Sequence, residues 1–349
     1  MQTERGPADT DDLQKLLQKM NHPAYLHTVS MRELYENVYP SKPPIIDNLL
    51  YMGTYLFVGA PKVGKSFLMA QLAYHVSTGT SLWEYNVRKG AVLYLALEDD
   101  YRRLQERLFR MFGINSTEKL HFAIGAKQLD GGLEAQLQKF IQDYPDTKLI
   151  IIDTLQKILE AGGIKCLYGS DYDVVGKLKQ FADKNQICLL LVHHTRKQQA
   201  DDKFDMISGT NGLMGAADGA FLLYKEKRTS LDAMLDISGR DQQDQRLYLT
   251  RNAELLIWEL SRTETEPWNE PPDSMILAIT NLLSADQPIW SGSPTALVNT
   301  LKLEIKPNIL TMKLNINAGR LLQDYHIRYE NSRRHAGRRI LLALDTSEA

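Results

Sequence analysis

The sequence predicts an α/β protein in two parts: a mostly parallel sheet flanked by helices, with an antiparallel extension, then a small domain of helices closed by a β-hairpin. Three observations carry this. From Tyr51 onward, short apolar runs alternate with longer amphipathic ones, a βαβα pattern. Two of the runs, KLIIID and ICLLLV, are almost wholly apolar, as suits strands buried on both faces of a parallel sheet. The segment SRTETEPWNEPPD is charged, Pro-containing and poor in aliphatics, and it divides the chain.

Residues 1–44 read as an N-terminal arm, with a short helix over DDLQKLLQKM and an extended Pro-rich lead-in, YPSKPPIIDNLL. The core, residues 45–262, opens with the strand TYLFVGA and the helix SFLMAQLAYHV, then the strand GAVLYLALE and the helix YRRLQERLFRMF. DVVGKLKQFADKNQ is the crossover helix between KLIIID and ICLLLV. GAFLLYKE, AMLDISGRD and QRLYLTRN follow with tight connections, as an antiparallel extension. After a linker at 263–272, residues 273–349 give a helix (SMILAITNLLSA), a short strand at QPIWSG, a helix from Ser293, one helix from Pro307 to Tyr325, and a hairpin from His326 to Leu344. That is winged-helix order.

The composition of the 349-residue chain, 43% hydrophobic and 24% charged, is that of a globular protein. A net charge of -2 gives no whole-molecule attraction to nucleic acid, so DNA contact has to come from local basic clusters. Cys166 and Cys188 are the only cysteines, which excludes a disulfide scaffold and a Cys-rich zinc site and makes the reducing cytoplasm the expected location. The polar N-terminus and the lack of any run of about 18 apolar residues predict neither secretion nor membrane insertion.

The run Gly59-Ala60-Pro61-Lys62-Val63-Gly64-Lys65-Ser66 lies between a strand and a helix, the context in which backbone N–H groups and a helix N-terminus converge on phosphate. Gly59 and Gly64 allow close approach, Lys65 is placed for the β/γ-phosphates, and Ser66 for Mg²⁺; the nucleotide-binding set extends to Phe67. Asp153 ends LIIID, where a carboxylate leaving a buried parallel strand faces the ligand crevice; it is either the second metal ligand or a cap for the helix after it. Glu98 ends VLYLALE and is suited to activate an attacking water with Asp99 in support, or else both charges complement the helix that follows. His193 and His194 end the equivalent strand, and one of them should face the site.

With GAPKVGKS, LALEDD, LIIIDT, LVHHTRK and ISGTNGLMGAAD in this order, residues 45–260 resemble the RecA-like ATPases of the RepA-type plasmid replicative helicase family. The resemblance implies a RecA-like core, ATP and Mg²⁺ as cofactors, a ring homo-hexamer, and hydrolysis at subunit interfaces coupled to movement on single-stranded DNA. It implies Glu98 as catalytic glutamate, Asp153 as Walker B, and His194, with His193 second, as γ-phosphate sensor. It implies a basic finger supplied by the neighbouring subunit, for which Arg240 in SGRDQQDQ is best placed and Arg251 and Lys225 are rivals. The stretch Arg196 to Gly215, with Lys197 and Lys203, corresponds to the loop lining the ring's channel. No N-terminal helical domain like that of chromosomal replicative helicases is evident in residues 1–40.

In the C-terminal domain, Arg333, Arg334, Arg338 and Arg339 surround the turn His335-Ala336-Gly337, a basic wing suited to duplex phosphates. The helix before it carries Lys313, Asn315, Asn317 and Arg320, side chains able to donate to bases or phosphate. Together these features predict an ATP-dependent DNA-binding motor, a helicase or replication protein of a mobile element. The alternative is a non-helicase DNA-binding regulator or loader.

Overall fold

The computed structural model describes residues 24–39, 43–159, 171–194, 212–240, 242–265, 273–334 and 337–345. The chain forms two compact units: Lys42–Glu270, and a second made of Met1–Ser41 with Pro271–Ala349.

The first unit is built on a nine-stranded sheet. Strands β1 (Gly53–Gly59), β2 (Ala91–Ala96), β3 (Leu120–Ala123), β4 (Thr147–Asp153), β5 (Cys188–His194) and β6 (Gly219–Tyr224) are mutually parallel, and β7 (Asp232–Gly239), β8 (Gln242–Arg251) and β9 (Trp258–Thr265) extend them antiparallel. The order is β3-β2-β4-β5-β1-β6-β7-β8-β9. This is the α/β fold that the sequence predicts, a helix-flanked, mostly parallel sheet with an antiparallel extension. β9 runs to Thr265, three residues into the stretch read as linker, because its alternating polar side chains look like linker composition.

Alternation along the strands sorts the core into two layers. Phe57, Tyr94, Ile151 and Val192 face one side, where Leu68, Met69, Leu72 and Val76 of the helix Lys65–Thr78 (α2) cover them. Val58, Leu95, Ile152 and Leu191 face the other, against the helix Asp171–Asn185 (α6) and Leu133 and Leu137 of the helix Leu133–Asp143 (α4). Because β1, β2, β4 and β5 all run the same way, their carboxyl ends share one edge, where loops can gather functional groups.

In the second unit, helices α8 (Ser274–Thr280), α9 (Pro294–Leu301), α10 (Pro307–Ile316) and α11 (Ala318–Tyr325) surround a three-stranded antiparallel sheet. Its strands, β10 (Ile289–Gly292), β11 (Ile327–Arg334) and β12 (Gly337–Leu344), are ordered β10-β12-β11. The single helix expected from Pro307 to Tyr325 is two. Asn317 leaves helical geometry at φ -93°, ψ 9°, and its side chain donates to the Lys313 carbonyl at 2.9 Å, closing off the first helix.

The N-terminal segment belongs to this unit. Its helix α1 (Met31–Glu36) is started by a capping box in which Ser30 and Glu33 satisfy each other's backbone. The carbonyl of Tyr35 in α1 accepts a 2.9 Å hydrogen bond from Asn315 Nδ2 in α10. The helix expected over DDLQKLLQKM lies outside the described residues.

Candidate functional site

β1 ends at Gly59, and the loop from Ala60 to Gly64 turns into α2 at Lys65. Gly64 has φ +114°, a conformation L side chains rarely adopt, and a Cβ there would lie 2.7 Å from Cζ2 of Trp258. A Cβ on Gly59 would lie 2.5 Å from the Leu223 carbonyl oxygen. Space fixes both glycines, and at Gly64 the backbone does so as well. Ala60, Pro61 and Lys62 are exposed at the tip, Val63 is buried beneath it, and the first-turn N–H groups of α2 are directed at the loop.

Lys65 is 6% exposed and folds back on the loop. Its Nζ donates to the carbonyls of Gly59 (2.7 Å) and Ala60 (3.1 Å) and lies 3.1 Å from Nδ1 of His194. Burial brings its pKa down to about 8, against the opposing pull of the Asp153 and Glu98 charges. His194 is held below its ordinary value, first by burial and then by the Lys65 charge, so a neutral imidazole can accept from the ammonium. His193 projects to the opposite face of β5 by strand alternation, so His194 is the histidine beside the loop.

Ser66 Oγ donates to Asp153 Oδ2 at 2.8 Å, and the Tyr94 hydroxyl donates to the same oxygen at 2.8 Å. Burial raises the pKa of Asp153, while the two donors and the Lys65 charge oppose that shift. The donor set suits Mg²⁺, which takes one or two protein oxygens beside substrate phosphates rather than a protein cage. No cluster of three His, Cys, Asp or Glu ligands exists among the described residues.

Glu98 stands exposed just past β2, where its Oε1 accepts from Thr154 Oγ1 at 3.2 Å. Asp99 does not join it. Asp99 pairs with Arg107 at 2.7 Å, and the cap of the helix Tyr101–Phe112 (α3) is Asp100, whose side chain accepts from Arg103 N. The Phe67 ring packs with the guanidinium groups of Arg251 (4.0 Å) and Arg107 (5.1 Å).

Arg240 follows β7, at the edge where Gly239 pairs with Gly219, the first residue of β6. The loop after Gly59 lies towards the other edge: Gly219 pairs with Tyr55 of β1, and Gly59 is four residues further on, roughly 13 Å along the strand. Arg240 Nη2 donates to the Gly215 carbonyl at 2.9 Å. Its rivals lie at the loop's own edge, Arg251 on Phe67 and Lys225 Nζ 5.5 Å over the Trp258 ring.

In the second unit Arg333, Arg338 and Arg339 lie on the hairpin, with Arg333 opposite Arg338 and Arg339 Nε donating to Ser291 Oγ at 2.9 Å. Lys313 is exposed, and Arg320 pairs with Asp324 at 3.5 Å. Asn315 is not available to a base. It is 3% exposed, and its Oδ1 accepts from Tyr329 (2.8 Å) and Asn331 (3.2 Å), so it is an internal tie. Lys197, Lys203, Cys166, and the side chain of Arg334 lie outside the described residues.

Sequence reasoning missed Tyr94 and Trp258. Tyr94 lies two residues before Ala96 on β2, hence on the same face, but a tyrosine in an apolar strand gives no signal by itself. Trp258 touches Gly64 across the fold and gives no local signal.

The family model for the AAA domain matches residues 13–200, more than half of the chain. The chain belongs to the AAA domain family. No curated protein sequence matches it. Among solved structures, this AAA domain protein is similar to the ATPase domain of G40P, at 15% identity and TM-score 0.50, covering 73% of this chain and 99% of that one. It is also similar to a DnaB-like replicative helicase described with its primase interactions, at 14% identity and TM-score 0.51, covering 72% and 71%. These likenesses show that the AAA domain here has the RecA-like ATPase fold. No helix among the described residues is long and apolar enough to cross a membrane.

Proposed function

We propose that this AAA domain protein is an ATPase whose hydrolysis drives work on DNA, as a helicase or replication motor of a mobile element. The observation that carries the proposal is the Ser66–Asp153 contact of 2.8 Å beside a Lys65 held between the loop carbonyls and His194. A hydroxyl and a carboxylate touch at the N-terminus of a helix, next to a buried ammonium, where a nucleoside triphosphate brings both phosphate and cation.

In this reading the loop N–H groups and Lys65 bind the β- and γ-phosphates, and Lys65 leaves the Gly59 and Ala60 carbonyls to do so. Ser66 and Asp153 hold Mg²⁺, which supplies charge neutralisation on the phosphates. Glu98, steadied by Thr154, takes the proton of the attacking water. His194, bonded to Lys65, registers the occupancy of the γ-phosphate subsite and transmits it to the chain after β5. Arg240 acts on the site of a neighbouring subunit; its position at the far edge of its own sheet supports action in trans. A homo-hexamer passing single-stranded DNA, gripped by Lys197 and Lys203, is the assembly this implies.

The second unit is proposed to be a winged helix that binds duplex DNA. Its helix order and its β10-β12-β11 sheet suit that fold. Arg333 and Arg338 face each other across the hairpin, an arrangement of like charges that costs stability unless an anion lies over it. With Arg334 and Arg339 they form the phosphate-contacting wing, while Lys313 and Arg320 contribute from the helices.

The test pairs ATP turnover with strand displacement and a measurement of oligomeric mass. Wild type is expected to hydrolyse ATP, form rings and displace strands, and Lys65→Ala to do none of the hydrolysis. Turnover without displacement would instead favour the regulator. Undiminished turnover in Lys65→Ala would remove the ATPase assignment altogether.

A further inference from the structure

Tyr94 is the residue at this site that neither the motif chemistry nor the proposed roles use. It stands in the middle of β2, fully buried, with its ring tilted against Phe122 at 5.6 Å between centroids. On packing alone it would be one more core aromatic. Its hydroxyl, however, is directed at Asp153 Oδ2 at 2.8 Å, the oxygen that also accepts from Ser66.

The register explains the reach. Ala96 of β2 pairs with Asp153 of β4, so Tyr94, two residues earlier on the same face, is the diagonal neighbour of Asp153, within range of a long side chain. Asp153 has two donors of different kinds. Ser66 sits at the start of α2 and is itself suited to ligate the cation through a lone pair of its oxygen while its O–H stays on the carboxylate, so it is bound up with the metal as well as with Asp153. Tyr94 is enclosed in the core between the sheet and α2, too far back on its strand to be a ligand by itself, and its hydroxyl donates to Asp153.

We propose that Tyr94 is a positioning residue for the divalent cation: its hydroxyl fixes the Asp153 carboxylate in the orientation that receives Mg²⁺. This rests on the assignment of Asp153 as the metal carboxylate. Partners that orient a metal ligand typically change affinity by 10–100-fold when removed, and Tyr94→Phe removes this partner while keeping the ring.

The test is equilibrium binding of a fluorescent ADP analogue titrated with Mg²⁺, and separately in EDTA, for wild type, Tyr94→Phe and Asp153→Ala. Wild type should bind more tightly as Mg²⁺ rises, and Asp153→Ala should lose that enhancement. Tyr94→Phe should bind as wild type in EDTA but need on the order of tenfold more Mg²⁺ for half the enhancement. An unchanged Mg²⁺ midpoint in Tyr94→Phe, with Asp153→Ala impaired, overturns the role of Tyr94 and leaves that of Asp153 standing. Weakened binding of Tyr94→Phe in EDTA also overturns it, since the hydroxyl would then be supporting the loop. A wild-type protein indifferent to Mg²⁺, or Asp153→Ala behaving as wild type, overturns the metal assignment and the inference with it.

Discussion

Trp258 packs so closely on Gly64 that a Cβ on the glycine would come within 2.7 Å of the indole ring. The same tryptophan exchanges two hydrogen bonds with the Gln71 side chain, N to Oε1 at 2.8 Å and Nε2 to O at 2.9 Å, which fastens the first turns of α2 to β9. The phosphate loop is thus wedged against the antiparallel extension. A side chain at position 64 meets both the wedge and a left-handed backbone that costs about 1–2 kcal/mol. Gly64→Ala is expected to weaken ADP binding at least about tenfold, by equilibrium titration; affinity within twofold of wild type would show that the loop has other ways to close.

Lys65 gives a pH dependence with a definite sign. Burial holds its pKa at about 8, below the ordinary lysine value, so the empty site loses the ammonium as pH rises through 8. Bound phosphate favours the charged form, so nucleotide binding above that pH should take up a proton, and affinity should fall as pH rises from 8 toward 10. Calorimetry at pH 8.5 in buffers of different ionisation enthalpy measures the uptake. Proton release, or no exchange at all, would mean that Lys65 is already fully charged in the free protein.

Arg240 and the loop after Gly59 occupy opposite edges of one sheet. If Arg240 serves a neighbour, Arg240→Ala and Glu98→Gln proteins, each impaired by at least about tenfold, should regain turnover when mixed, because some interfaces then pair an intact finger with an intact glutamate. Mixtures no more active than their components would count against action in trans.

Asn315 links three elements of the second unit through Tyr35, Tyr329 and Asn331. Asn315→Ala strands the buried Tyr329 hydroxyl at roughly 1–3 kcal/mol and loses two part-buried bonds besides, so the unit should lose at least about 1 kcal/mol in denaturant unfolding. Deleting residues 1–39 removes α1 from the same tie and should likewise lower stability and duplex DNA binding. A deletion that leaves both unchanged would make the N-terminal segment a passive appendage.

How much of this is legible in the sequence depends on how local the physics is. Gly59 to Ser66 reads directly because phosphate chemistry prescribes residue types at fixed spacing. Asp153 and the His193-His194 pair read from the rule that parallel strands converge at their carboxyl edge, a rule that does not choose between the two histidines. Trp258 does not, because its hydrogen bond from Nε1 to the Gly64 carbonyl, 3.4 Å, spans 194 residues. Tyr94 does not, because a tyrosine in an apolar strand looks like core until its hydroxyl finds a partner. β3, four residues at the sheet edge, is too short to show a period. Asn315 was misread because polarity says nothing of direction, and the break at Asn317 because amphipathic spacing carries on across it.

The chain leaves one unit at Ser41, traverses Lys42–Glu270, and returns to the first at Pro271. The nucleotide-binding unit is therefore an insertion joined at two points, not a bead on a string. A protease that cuts one junction produces two fragments still clasped through α1 and α10.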